Sequence, residues 1–192
     1  MNGQGDEVLY WIIGLFDDET EETIKKIWEE LSVNSISFYS DEVKDARPHI
    51  TFGSYYNLNK HEYIKMMDDY YDDKQSIKIT FNTLGSFLNY QTLFLAPTIT
   101  NELITFHSNH HKYFEKFNSN ANEYYLPDQW IPHCTLANKI SPEKLSEAFN
   151  YCLKRNHTIH GSINEIALLE SVENTTPNLE APIIFSKPLK LL

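Results

Sequence analysis

"RPHITFG" (residues 47–53) and "IPHCTLA" (residues 131–137) carry one pattern, proline, histidine, any residue, threonine, 84 positions apart. Each stretch alternates as a half-buried strand does. Side chains two apart on a strand point to one face, so His49 and Thr51 stand together while Ile50 and Phe52 take the other side. His133 and Thr135 oppose Cys134 and Leu136 in the same way. Each strand is expected to present an imidazole beside a hydroxyl, with apolar residues behind.

A histidine two positions before a serine or threonine is a weak signal alone. With eight histidines and 27 serines and threonines in 192 residues, chance supplies about one such triplet. "HGS", His160 to Ser162, fits that description: it lacks the preceding proline and reads as a decoy.

The frame around the two motifs separates them from the decoy. "VLYWIIGLF" (8–16) reads as a buried strand, and "DDETEETIKKIWEEL" (17–31) as a helix started by Asp18 and Glu21, with Ile24, Ile27, Trp28 and Leu31 inward. After the first motif, "NKHEYIKMMDDYYDD" (59–73) returns to helical spacing through Ile64, Met67 and Tyr71. "SIKITF" (76–81) alternates with Ile77, Ile79 and Phe81 on one side and should pair with "SFL" and "TLFLAP" around a turn near Asn89. From residue 92 the order repeats: the strand "TLFLAP", a helix from Asn101 to Phe117, a loop, and the second motif. A helix follows with Ser141 as cap, Pro142 at its first position, and Leu145, Phe149, Cys152 and Leu153 inward. Then come "IHGSINEIALLESV" (159–172) as a strand region and a tail with Pro177, Pro182 and Pro188. Whether "PIIFSKPLKLL" (182–192) adds an edge strand is left open by its prolines.

From the end of the first strand to the histidine is 33 residues in one half (Phe16 to His49) and 37 in the other (Ala96 to His133). A divergent internal duplication accounts for that agreement. The expected fold class is α+β: one two-lobed, internally duplicated domain over residues 1–192, with central antiparallel sheets carrying one His-x-Thr motif each and helices outside. A pseudo-twofold between the halves would bring the two polar pairs to one cleft.

Sixteen basic against 27 acidic residues give a formal charge of −11, which repels a long polyanion and excludes long duplex nucleic acid as the expected partner. A small phosphate ester or nucleotide remains allowed. No segment reaches the ~20 apolar residues of a membrane span, and "MNGQGDEV" has neither a basic start nor a cleavage signal, so a cytoplasmic monomer is expected. Cys134 and Cys152 are too few for a disulfide framework and read as buried thiols.

With these motifs in this frame, the sequence resembles the 2H phosphoesterases, which include the 2'-5' RNA ligase-like proteins and cyclic nucleotide phosphodiesterases. The resemblance covers residues 8 to about 171 and rests on "HIT" and "HCT". It implies a two-histidine phosphodiesterase acting on 2',3'-cyclic nucleotides or related cyclic phosphates, RNA ends among them, without a metal or other cofactor. It also implies that His49 protonates the leaving oxygen and His133 activates water, an assignment that exchange of the two would satisfy equally. Asn138 stands where some members carry an arginine, with Lys139 beside it, a departure that bears on substrate length or type.

Opening a cyclic phosphodiester needs a base, an acid, and donors for the charge on phosphorus. Imidazoles titrating near ~6.5 suit the first two tasks and threonine hydroxyls the third. Joining a 5'-hydroxyl to a cyclic phosphate needs the same groups in exchanged roles, so a ligase reading stays open, as does a binding module without turnover. Arg47 and Lys139 are candidates to neutralise phosphate, and Trp130 and Tyr125 (with Tyr124) to stack on a base. In "FHSNHHKYF" (106–114), His107 and His111 have the one-turn spacing of a metal pair but lack a third ligand nearby. His110 lies on the stripe of Leu103, Phe106, Phe114 and Phe117 and is expected to be partly buried, and the cluster reads as an ordinary helix face. The acidic pairs Asp17-Asp18, Asp68-Asp69 and Asp72-Asp73 read as capping or solvated residues.

Overall fold

The structure, a computed structural model, describes residues 8–42, 46–155, 157–171 and 181–191. Most of the N-terminal stretch "MNGQGDEV", Val172 of the last strand region, Pro177 of the tail and Leu192 lie outside them. The elements in chain order are β1 (Leu9–Phe16), α1 (Asp18–Val33), α2 (Tyr39–Glu42), β2 (His49–Tyr56), α3 (Lys60–Tyr71) and β3 (Ile77–Phe87). They continue as β4 (Thr92–Pro97), α4 (Asn101–Tyr113), β5 (Cys134–Ala137), α5 (Pro142–Arg155), β6 (Ile159–Glu170) and β7 (Ile183–Pro188).

The strands form one seven-stranded antiparallel sheet in the order β2-β1-β6-β3-β4-β5, with β7 also on β6. Where a sheet for each half is expected, a single sheet results, because the last strands of the halves pair with one another, Ile77 opposite Ile163 and Phe81 opposite Ile159. The two ends of the order, β2 and β5, lie against each other.

Helical periodicity is realised where it is strongest. Ile24, Ile27, Trp28 and Leu31 are all buried, each contributing about 1.5–3 kcal/mol by leaving water. Asp17, one residue earlier than expected, caps α1 by accepting from the Thr20 N–H at 2.9 Å. Met67 and Tyr71 of α3 are buried with Tyr63, and Ile77, Ile79 and Phe81 line the core from β3. On α5 Cys152 is buried, but Leu153 is 54% exposed and Ala148 takes the inward place. α4 stops at Tyr113, where the chain tightens into a 3₁₀ turn over Glu115–Asn120. "SFL" is no separate strand: Ser86 and Phe87 continue β3. "PIIFSKPLKLL" does supply an edge strand, β7, with its prolines at the ends. Lys187 from that strand pairs with Asp68 and Asp72, and Lys190 with Asp73, tying the acidic end of α3 to the tail.

The main core lies on the helix side of the sheet. A second, small cluster of Ile13, Leu15 and Ala167 occupies the other face of β1 and β6. Leu15 is opposite His49 and Ile13 is opposite Thr51, and opposite residues share a face, so the first motif stands over this cluster. No described helix is long and apolar enough to cross a membrane.

Candidate active site

β2 and β5 present their motifs in the same way. His49, Thr51, His133 and Thr135 are half-buried, whereas Ile50, Phe52, Cys134 and Leu136 between and after them are at most 1% exposed. Both prolines, Pro48 and Pro132, are buried. The His49 ring donates from Nδ1 to the Arg47 carbonyl oxygen at 2.6 Å, and His133 from Nδ1 to the Ile131 carbonyl oxygen at 2.7 Å. Two imidazoles are thereby held in one tautomer, each by the carbonyl two residues before it, with Nε2 left as the basic nitrogen.

The two motifs come together. The backbone N–H of His49 lies against the Cys134 sulfur, and charge on His133 disfavours charge on His49. Burial is the larger cause holding His49 below the ordinary imidazole value, with His133 adding to it; burial does the same to His133. Phe87 and Phe94 wall His133, their centroids 4.8 and 5.3 Å from its ring. Gly85 makes room for this wall, since a Cβ there would stand 2.5 Å from the Phe94 ring.

The accessory candidates have other engagements. Arg47 is clamped by Glu21, its Nη2 2.6 Å from Oε2, and its Nη1 stands 3.5 Å from Glu165. Trp130 stacks one face on His107, centroids 3.8 Å apart and 2° from parallel, and donates from Nε1 to the Thr51 carbonyl oxygen at 2.8 Å. The Tyr125 carbonyl accepts from His107 Nε2 at 2.8 Å, while its half-buried phenol is raised in pKa by burial and by nearby Tyr90 and Tyr56. Lys139 is exposed on left-handed backbone (φ 52°) after β5, and Asn138 accepts from the Thr92 hydroxyl at 2.7 Å.

Four aromatic neighbours were not singled out as site residues by pattern: Phe87, Phe94, Trp28 and Tyr39. Trp28 donates from Nε1 to the Thr135 carbonyl oxygen at 3.0 Å. Tyr39 packs edge-on against Trp28 with its phenol facing the Thr135 hydroxyl, and burial pushes that phenol up to about 12. Trp28 was legible only as part of the inward stripe of α1, and Phe87 only as part of a strand.

The remaining histidines sit elsewhere. His160 is exposed on β6, 3.2 Å from the Thr80 hydroxyl. It lines a cavity of about 460 Å³ between α1, α5, β3 and β4 that holds none of the four motif residues. Ser162 of the same triplet is tied to Asp17. The α4 histidines are not an ordinary helix face, because all three are buried among partners from β2, α3 and the following loop. His110 Nδ1 is 2.6 Å from the Tyr71 hydroxyl and its Nε2 3.1 Å from that of Tyr63, while His111 Nε2 donates to the Phe52 carbonyl oxygen at 2.9 Å. Among the described residues no cluster of three or more histidine, cysteine, aspartate or glutamate side chains is arranged to hold a metal.

Comparison with known proteins agrees with this architecture. No curated protein matches the chain in sequence. Among solved structures, E. coli LigT complexed with NADP+ superposes with a TM-score of 0.61 at 13% identity, covering 96% of this chain and 99% of that one. A crystal structure described as a phosphoesterase gives 0.63 at 12%, with the same coverage. E. coli LigT complexed with 3'-AMP gives 0.60 at 12%, again covering 96% and 99%. Identities this low establish the shared fold. The sequence itself matches the family model of the 2'-5' RNA ligase superfamily over residues 16–175, and the chain accordingly belongs to that superfamily and to the 2H phosphoesterases.

Proposed function

We propose that this chain is a metal-independent phosphodiesterase that opens 2',3'-cyclic phosphates of nucleotides, including those at RNA ends. The observation that carries the reading is the pair of half-buried imidazoles, His49 and His133, each fixed in the same tautomer on strands that meet. One neutral imidazole takes a proton through Nε2 from water as the water oxygen attacks phosphorus. The other, protonated, delivers a proton to the departing ribose oxygen. Thr51 and Thr135 stand beside them to donate to the non-bridging oxygens as charge accumulates. That structures of LigT carry NADP+ and 3'-AMP supports a small nucleotide ligand. Arg47 is held by two carboxylates, and this favours a short substrate over a long phosphate track.

Internal duplication belongs to the same reading. Read inward from its ends, the sheet order runs β2-β1-β6 and β5-β4-β3, so equivalent strands of the halves occupy matching places. Such an arrangement supports two related lobes that contribute one His-x-Thr each.

The test is incubation of the pure protein, with chelator, with 2',3'-cyclic nucleotides and with a 5'-hydroxyl RNA plus an RNA ending in a cyclic phosphate. Monophosphate release that survives the chelator is expected. Joined product without release would replace the hydrolase with the ligase, and binding without either product would leave a nucleotide-binding module.

A further inference from the structure

Directly after each motif threonine, the strand gains an extra residue. Ile12 is opposite Gly53 and Ile13 opposite Thr51, so Phe52 is the unpaired residue of a bulge in β2. Leu93 is opposite Ala137 and Phe94 opposite Thr135, so Leu136 is its counterpart in β5. Bulges of this kind re-aim side chains and disrupt the local ladder, and both strands lie at ends of the sheet order. Backbone carbonyls left out of a ladder need another donor, and an unfixed edge strand is prone to slip by one residue, which turns each side chain to the opposite face.

The carbonyl of the unpaired Phe52 takes its donor from His111 Nε2, whereas the two motif-threonine carbonyls take theirs from two indoles, supplied crosswise. Trp28, on α1 of the first half, donates to the carbonyl of Thr135 in the second half. Trp130, at the entry to β5 in the second half, donates to the carbonyl of Thr51 in the first. Each ring is itself fixed, Trp28 edge-on to Tyr39 at 5.5 Å and Trp130 stacked on His107. An indole offers one directional N–H on a rigid frame.

We infer that Trp28 and Trp130 are reciprocal positioning residues: each locks, from the opposite half, the bulged strand that aims one motif threonine at the phosphate. The catalytic part of this rests on the two-histidine reading above. Trp130 acts here through the Thr51 backbone, and a base-stacking role is not required of it.

Trp28→Phe and Trp130→Phe keep a ring and delete the donor. On a 2',3'-cyclic nucleotide, each should lower kcat about tenfold with KM changed less than about twofold, as loss of a transition-state alignment does. The chain has three tryptophans, so indole and threonine signals are resolvable by NMR. Trp28→Phe should shift Thr135 and leave Thr51, and Trp130→Phe the reverse. Unchanged kcat in both variants of an active enzyme, or shifts confined to the variant's own half, overturns the clamp and leaves the two-histidine reading standing. Absence of turnover by the wild type sinks that reading and the catalytic part of the clamp together. Should a variant fail to fold, proton exchange in the wild type decides: Trp28 or Trp130 indole protons that exchange as fast as free indole overturn the clamp.

Discussion

His49 donates from Nδ1 to the Arg47 carbonyl oxygen at 2.6 Å. A carbonyl can only accept, so the ring hydrogen is on Nδ1 and the basic lone pair is on Nε2. Ile131 imposes the same on His133. Asparagine reproduces a donor near the Nδ1 position while removing the titrating ring, which makes His49→Asn and His133→Asn cleaner probes than alanine. Each should lower kcat by about 10²–10⁴-fold, the usual worth of a general acid or base, with little change in melting temperature. Turnover within about threefold of wild type in either variant would remove that histidine from the chemistry.

The pH dependence follows from the environment of the two rings. Burial holds both histidines below the ordinary imidazole value, and their mutual repulsion lowers His49 further. Catalysis needs one ring neutral and the other charged, so kcat/KM should be bell-shaped with its maximum on the acid side of ~6.5, the limbs belonging to the pair. A bound phosphate anion favours the imidazolium, so the kcat profile should lie at higher pH than that of kcat/KM. Steady-state rates from pH 4 to 9 check this, and a kcat/KM optimum well above neutrality would contradict it.

The histidines of α4 make a separate prediction about stability. Burial, then repulsion by His111, lowers His107 to about 3, and the same causes hold His110 well below the ordinary value. Both are therefore neutral in the folded protein at pH 7. Tyr55, Tyr63 and Tyr71, whose hydroxyls face His110, are raised by burial and stay neutral as well. Below ~6.5 the unfolded chain takes up protons that the folded chain refuses, so stability falls by about 1.4 kcal/mol per pH unit for each histidine. Asp17 and Glu21, whose folded values are also lowered, contribute in the same sense only below the ordinary carboxylate range. His49 and His133, also lowered by burial, act in the same sense, so urea unfolding should show a loss of at least about 2–4 kcal/mol between pH 7 and pH 5, before the carboxylates titrate. Equal stability at those two values would mean that the network accepts charge.

How much of this was legible in the chain depends on the range of the signal. The facing of His49 with Thr51 and of Ile50 with Phe52 is a two-residue period, and the inward stripe of α1 a 3.6-residue one, so both could be read locally. The pairing of β3 with β6 could not, because it joins strands 80 residues apart through contacts that no window contains. The bulges at Phe52 and Leu136 exist only relative to the register of β1 and β4. Trp28 shows its apolar face to periodicity, while the N–H that reaches Thr135 has no sequence pattern. His110 reads locally as part of an ordinary helix face because the three phenols around it arrive from β2 and α3.

The third histidine triplet tests the selection of the other two. His160 is exposed and meets Thr80, so His160→Ala should leave kcat/KM within about twofold, as surface substitutions do. Gly161 is structurally constrained, because a Cβ there would stand 1.8 Å from the Thr20 hydroxyl and 2.8 Å from Asp17 Oδ2. That carboxylate caps α1 and also accepts from the Ser162 N–H at 2.5 Å. Gly161→Ala should displace the cap and cost about 1–3 kcal/mol, read as a lower urea midpoint with kcat preserved in the folded fraction. Loss of turnover in His160→Ala at unchanged stability would show that "HGS" belongs to the chemistry and that preceding prolines and duplicated spacing are poor guides to it.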